Sequence, residues 1–341
     1  MTSVFLSGAS GYIGKHITLQ LLNEGYTVRA SVRSTAKSNE VIAAVTPHLV
    51  DPAAINALSF VELDLLSDDG WTEALQGIDV LMHTASPFTI DKVKDENVLI
   101  RPAVDGTLRA LRAAHAAGVK RVILTSSVAA IEGVELGQGA TAHDETNWTD
   151  VSSPLGRDPY TKSKTLAERA AWDYIANEAP EIALTTINPV MVLGAPLDRN
   201  YGASVSVLER VLSAKDPAMP DIAFSIVDVQ DVAMMHVNSI GMEEAKGQRY
   251  IAASDTMTFV DIAKVLKRTF PNKKIVTRQA PKFLMLLLAL FDAQIRSIVP
   301  RLGKPLRINS KKAQSAFSFS FIGVEQSIVE TATFLMAETG K

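Results

Sequence analysis

There is no cysteine among the 341 residues. Disulfides, thiol catalysis and cysteine-based metal sites are therefore excluded, and a reducing compartment is expected. Long apolar runs are also missing. The longest uninterrupted one, Phe283 to Phe291, covers nine residues, whereas a membrane span needs about 20, so it reads as buried helix or as the wall of a ligand lobe. Positive charge is not in excess. With 34 basic and 37 acidic residues the formal charge is −3, which offers no field for nucleic acid or an anionic membrane as the main partner. Val4-Phe5-Leu6 already reads as a strand, which leaves no room for a signal peptide, and a cytoplasmic protein is expected.

What is present is a generous apolar fraction, 47%, in a chain long enough for a large α/β domain with an appended lobe. Short apolar strands at 4–6, 28–32, 60–65, 80–83, 122–125 and 182–187 alternate with helical patterns at 12–23, 71–76 and 96–117. Gly25 would cap the first helix, and Asp158-Pro159 would open another. This alternation predicts an α/β fold with a doubly wound parallel sheet, the Rossmann arrangement. Beyond Asn188-Pro189 the pattern loosens. Residues 226–229 and 249–251 are expected to return to the sheet, and about 203–220 and 256–341 to form a smaller, mostly helical lobe. The expected division is a Rossmann unit at 1–190, with returns at about 222–252, and an appended lobe at 191–341.

Gly8-Ala9-Ser10-Gly11-Tyr12-Ile13-Gly14 falls where the first strand meets the first helix. There a tight turn, close approach to a pyrophosphate and helix–strand packing favour glycine. The amides around Ser10, Tyr12 and Ile13 and the helix N-terminus suit the phosphates. An NAD site places an acid at the end of the second strand. Here that strand ends in Arg33, followed by Lys37, which suit a 2′-phosphate, so NADPH/NADP+ is the expected cofactor. Asp64, with Leu65 beside it, would meet the adenine. Thr84, Ala85 and Ser86 follow the fourth strand at the carboxyl edge, where ligands bind. His83 reads as a buried structural histidine.

Tyr160 and Lys164 stand one helical turn apart and share a face. An unperturbed phenol titrates near pH 10, and a neighbouring ammonium is expected to lower that value. Ser126 and Ser127 close the fifth strand, where one hydroxyl can donate to a substrate carbonyl oxygen. Strand alternation allows only one of the two to face the site. Metal ligands are not indicated.

These segments, with Leu81-Met82-His83-Thr84-Ala85-Ser86-Pro87-Phe88, Val122 to Ala130, Asp144 to Trp148, Ala167 to Trp172, Asn188 to Gly194 and Val227 to Ala233, resemble the extended short-chain dehydrogenases/reductases. Within them the chain is similar to the dihydroflavonol 4-reductase, cinnamoyl-CoA reductase and methylglyoxal/aldehyde reductase group. The resemblance covers residues 4 to about 250. It implies an NADPH-dependent reduction of a small-molecule carbonyl, with Ser127, Tyr160 and Lys164 as catalytic residues. It further implies that Pro189 and Val192 lie against the nicotinamide, that Ser204 reaches the pyrophosphate, and that a homodimer forms through the helices at 96–117 and 160–177.

The substrate pocket is expected to be apolar, with Phe88, Val128, Ile131, Met191 and Leu193 as its near wall and Leu284 to Phe291 closing the far side. Two departures from the family pattern bear on it. Val128 replaces an aromatic residue after the serine, and the C-terminal Leu-Gly-aromatic motif has become Ala316-Phe317-Ser318. Residues 270–325 align closely with nothing in the group. The alternatives are an NAD-retaining nucleotide-sugar epimerase or dehydratase, a 3-hydroxysteroid dehydrogenase-like enzyme, and a cofactor-sensing protein without catalysis. Arg33 and Val128-Ala129-Ala130 oppose the first, and the retention of both Tyr160 and Lys164 opposes the last.

Overall fold

The computed structural model describes residues 2–86, 95–291 and 293–339. β1 (Ser3–Ser7) carries Val4, Phe5 and Leu6, all without exposure, because the strand is covered on both faces. α1 (Tyr12–Asn23) ends where Gly25 adopts φ +81°, with the Gly25 and Tyr26 amides donating to the Leu22 and Leu21 carbonyls. β2 (Thr27–Val32), α2 (Thr35–Val45), β3 (Leu58–Glu62), α3 (Trp71–Ala74) and β4 (Val80–His83) continue the alternation. α4 (Asn97–Ala116), β5 (Arg121–Thr125), α5 (Pro159–Glu178) and β6 (Ala183–Pro189) follow. Asp158 caps α5 by accepting from the Tyr160 and Thr161 amides, with Pro159 in the first turn.

Beyond β6 lie β7 (Met191–Leu193), α6 (Ala203–Ser213), β8 (Ala223–Asp228), α7 (Val229–Asn238), β9 (Gln248–Ala252) and β10 (Asp255–Thr258). The chain ends in α8 (Phe259–Thr269), α9 (Lys282–Leu288), α10 (Ala293–Ile298), α11 (Lys311–Phe317) and α12 (Val324–Thr339). Seven parallel strands form the main sheet in the order β3-β2-β1-β4-β5-β6-β9. One apolar core, with α1 and α7, covers one face, and a second, with α3, α4 and α5, covers the other. The order reverses between β1 and β4, which opens a crevice outside their carboxyl ends.

One expectation is corrected here. Of the two predicted returns, only β9 joins the main sheet. The segment at 226–229 belongs to β8 and the start of α7, and β8 pairs with β7 and β10 in a separate three-stranded sheet. The smaller lobe is therefore not only helical. α2 was not expected at all, since it follows β2 with few apolar residues at helical spacing. Among the described residues no helix is long and apolar enough to cross a membrane.

Candidate active site

β1 and β4 run side by side, with Ser7 level with His83, and both chains turn at the carboxyl edge. Gly8 has φ +76°, and a Cβ there would meet the Ala85 amide at 2.7 Å and the Thr84 hydroxyl at 2.8 Å. A Cβ on Gly14 would lie 2.3 Å from the Gly8 carbonyl. Both glycines are thus required by the backbone alone. Gly11 is different: its added Cβ would meet the Gly8 carbonyl at a less severe 3.3 Å. As the residue preceding α1 it gives no side-chain cap, and the first turn carries no acid. The amides and positive partial charge at Tyr12 and Ile13 are therefore available to an anion. Ser10 takes part through its carbonyl, which accepts from Asn200 Nδ2 at 3.0 Å, while the Tyr12 hydroxyl is buried and donates to the Gly194 carbonyl.

Ser7 organises the opposite turn. Its hydroxyl bonds His83 Nδ1 at 2.8 Å and accepts from the Thr84 and Ala85 amides, while the Thr84 hydroxyl donates to the Ser7 carbonyl. Ser86 follows, half-buried. Burial lowers the His83 pKa to about 3, so the ring is neutral and its role is to pack against Trp71.

At the end of β2, Arg33 is exposed and has no hydrogen bond or ion pair among the described residues. Lys37, one turn into α2, is paired with Glu40 at 2.7 Å. The neighbouring strand adds a carboxylate: Glu62 lies level with Val32 and accepts from the Thr35 hydroxyl at 2.6 Å. A carboxylate therefore does stand beside this turn, delivered by β3 rather than β2. Asp64 is exposed and accepts from the Leu66 amide, and Leu65 packs beneath Gly106.

β5 ends level with these turns and leads into Ser126 and Ser127. The Ser127 hydroxyl accepts from the Ala129 amide at 3.2 Å and bonds Tyr160. Lys164 Nζ lies 6.0 Å from the centre of the Tyr160 ring and has no hydrogen-bond partner among the described residues. Ser127, Tyr160 and Lys164 are thus brought together. Burial, rather than any neighbour, dominates both titrations. It raises the Tyr160 phenol, which the Ser127 hydrogen bond only partly offsets, and it lowers the Lys164 ammonium to about 8. The expected lowering of the phenol by Lys164 is not what this arrangement gives, because desolvation disfavours both charged forms.

Ser126 turns away to Glu168. That carboxylate is fully buried and receives Arg249 Nε and Asn188 Nδ2, each at 2.7 Å, together with Ser126, Thr186 and Trp172. Asn188 Nδ2 also donates to the Ser127 carbonyl at 3.1 Å, so the cluster holds the strand end from behind. Glu168 stands one turn beyond Lys164 on the same helix row, and Arg249 interrupts an apolar strand. Those two charges at core positions were the signal that sequence reading passed over.

Pro189, the last residue of β6, and Val192, the middle residue of β7, are buried, and Ser204 lies in the first turn of α6, whose N-terminus has no side-chain cap. Of the pocket candidates, Val128 is nearly covered and Met191 half-buried. Ile131 and Leu193 have no exposure, so they are core residues and not wall. Phe88 lies outside the described residues. Leu284 to Phe291 do not close the far side, since most of their side chains point to solvent.

A family model, the NAD dependent epimerase/dehydratase family, matches residues 4–252. The chain belongs to this family, among the extended short-chain dehydrogenases/reductases. It is 34% identical to each of two curated reductases. Cinnamoyl-CoA reductase 1 of Petunia hybrida matches over 279 residues, covering 81% of this chain and 79% of that one. The ketoreductase azaE of Aspergillus niger matches over 287 residues, covering 79% and 82%. Yeast methylglyoxal/isovaleraldehyde reductase, solved with NADPH, superposes with a TM-score of 0.82 at 26% identity and covers 99% of both chains.

Proposed function

We propose that this oxidoreductase is an NADPH-dependent carbonyl reductase. Its substrate is an aldehyde or ketone with an apolar or aromatic body, such as an aryl ketone, a ketoester or a dihydroflavonol-like molecule. One observation carries the reading: the Ser127–Tyr160 hydrogen bond, with the Lys164 ammonium 6.0 Å from the Tyr160 ring centre, at the same sheet edge as the Gly8 cradle. The similar reductases of Petunia, Aspergillus and yeast act on carbonyl compounds by name.

The free amides of α1 and the close approach allowed by Gly8, Gly11 and Gly14 fit a pyrophosphate, with Ser10, Tyr12 and Ile13 in the same turn. Arg33, aided by Lys37, fits a 2′-phosphate, and Asp64 and Leu65 the adenine side. Thr84, Ala85, Ser86, Pro189, Val192 and Ser204 complete the cradle. NADPH, when bound, supplies the hydride. Ser127 donates a hydrogen bond to the substrate carbonyl oxygen and stabilises the charge that builds there. Tyr160, kept neutral by burial, has a proton to give at neutral pH and delivers it to that oxygen. Lys164 would hold the nicotinamide ribose.

In this reading residues 1–190, with the returning β9, carry the dinucleotide, and 191–341 carry the substrate. Cytoplasmic location and a homodimer belong to the same reading. The test is NADPH consumption against aldehydes, α- and β-ketoesters, diketones, aryl ketones and dihydroflavonols, repeated with NADH. Turnover of an apolar carbonyl with NADPH preferred is expected. No turnover on any carbonyl, with NAD retained through purification, would overturn it in favour of an epimerase or dehydratase.

A further inference from the structure

The near-neutral balance of the whole chain conceals a segregation of charge. From Lys264 to Lys312 thirteen residues are lysine or arginine and one, Asp292, is acidic, in a chain whose net charge is −3. The same stretch holds the densest group of exposed large hydrophobics among the described residues. Phe283, Leu290 and Phe291 are 74%, 66% and 84% exposed, with Leu286 and Leu287 between them. Elsewhere exposed hydrophobics such as Val50, Leu66 and Val98 stand singly, which is ordinary.

The group is mounted on a fixed base. Met285 is the buried residue of α9 and packs with Ile222, Ala280 and Leu302 in a small core of their own. Arg296 donates to the Ala289 and Leu290 carbonyls and closes the C-terminal end of the helix. Arg301 and Lys304 pair with Glu132 and Glu135, fastening this part of the lobe to the loop that follows Ser127. The apolar side chains therefore point outward from a tethered support, around most of the helix circumference.

We propose that residues 282–291 are a docking surface for an anionic lipid bilayer. The side chains of Phe283, Leu287 and Phe291 enter the boundary between headgroups and acyl chains. Lys264, Arg268, Arg301 and Lys304 are paired with carboxylates, so the headgroups are met by Lys282 on the helix itself and by Lys273 and Lys274, whose ammonium groups have no acidic partner among the described residues. Seven helical residues are about 10 Å long, too short to cross, so the segment lies on the membrane. Charge decides the occupant. A second copy applied face to face would bring two strongly basic segments together, whereas an anionic surface neutralises them. A partner protein's groove would cover one stripe of the helix, not most of its circumference.

The test is co-sedimentation of the purified full-length protein with vesicles of phosphatidylcholine alone and of phosphatidylcholine mixed with phosphatidylglycerol. Binding to the anionic vesicles is expected, at least about tenfold weaker on neutral ones and in high salt. Leu287→Glu should weaken it by about tenfold or more, and so should Lys274→Glu combined with Lys282→Glu, with thermal midpoints unchanged. If Leu287→Glu disturbs α9, Phe291→Ser, on the turn beyond it, should give the same loss. Three results would each overturn the proposal. One is the absence of sedimentation with anionic vesicles, whether or not polyglutamate is bound instead. Another is binding unaffected by these variants. The third is a wild-type dimer that Leu287→Glu converts to monomers.

Discussion

Ser126 and Ser127 are consecutive, and their hydroxyls leave the end of β5 toward different partners, Glu168 for the first and Tyr160 for the second. Ser127→Ala should lower kcat/KM about 10²-fold or more, by analogy with removing an oxyanion donor. Ser126→Ala should act chiefly on stability, costing about 1–3 kcal/mol by leaving a buried carboxylate short of a donor. Steady-state kinetics and denaturant melts of the two variants check this, and the reverse ranking would show the register to be wrong. Lys164 gives a pH prediction. Its folded pKa of about 8 lies below the ordinary 10.5, so the unfolded chain holds more protons between those values. Stability of the cofactor-free protein should therefore rise from about pH 8 to 10, and Lys164→Met should abolish that rise. Melting temperatures across this range measure it. A wild type that loses stability over the window, relative to the variant, would contradict it.

Among the elements, those with strong end signals were legible in the sequence. Gly25 marks the end of α1 by its left-handed backbone, and Asp158-Pro159 opens α5 by capping two amides. β1, β4 and β5 were clear because central parallel strands are apolar on both faces. α2 was not, and its neighbourhood is where the proposed function places the choice of cofactor. Lys37 is engaged by Glu40, and Glu62 arrives from the adjacent strand, so of the two cations Arg33 is the one without an ion pair among the described residues. Arg33→Ala should raise the KM for NADPH at least tenfold, from about 1.5–3 kcal/mol for a charged hydrogen bond. The KM for NADH should stay nearly unchanged, and Lys37→Ala should do less than Arg33→Ala. Kinetics with both cofactors decide it; equal losses would remove Arg33 from this role.

At the scale of the whole molecule, the doubly wound sheet followed from strand–helix alternation, and the glycine turn, Ser127, Tyr160 and Lys164 could be placed at its carboxyl edge from local spacing. Contacts between distant segments could not be read this way. The Glu168 cluster draws its donors from residues as far apart as Ser126 and Arg249, and the small sheet joins β7, β8 and β10, each three to six residues long. Periodicity does not report such pairings. The lobe beyond residue 253 was the least legible part, and the outward-facing α9 shows why: an apolar run alone does not say whether it lines a pocket, a core or a surface. In the proposed function, what joins sheet edge, glycine turn and helix α5 into one enzyme is proton delivery by Tyr160 to a carbonyl reduced with NADPH. The most direct measurement is single-turnover NADPH oxidation by wild type and Tyr160→Phe on the best carbonyl of the panel, with NADPH binding measured in parallel. Tyr160→Phe should bind NADPH as wild type does and lose about 10²–10⁴-fold in rate. A Tyr160→Phe enzyme that keeps more than about a tenth of the wild-type rate would contradict the assignment.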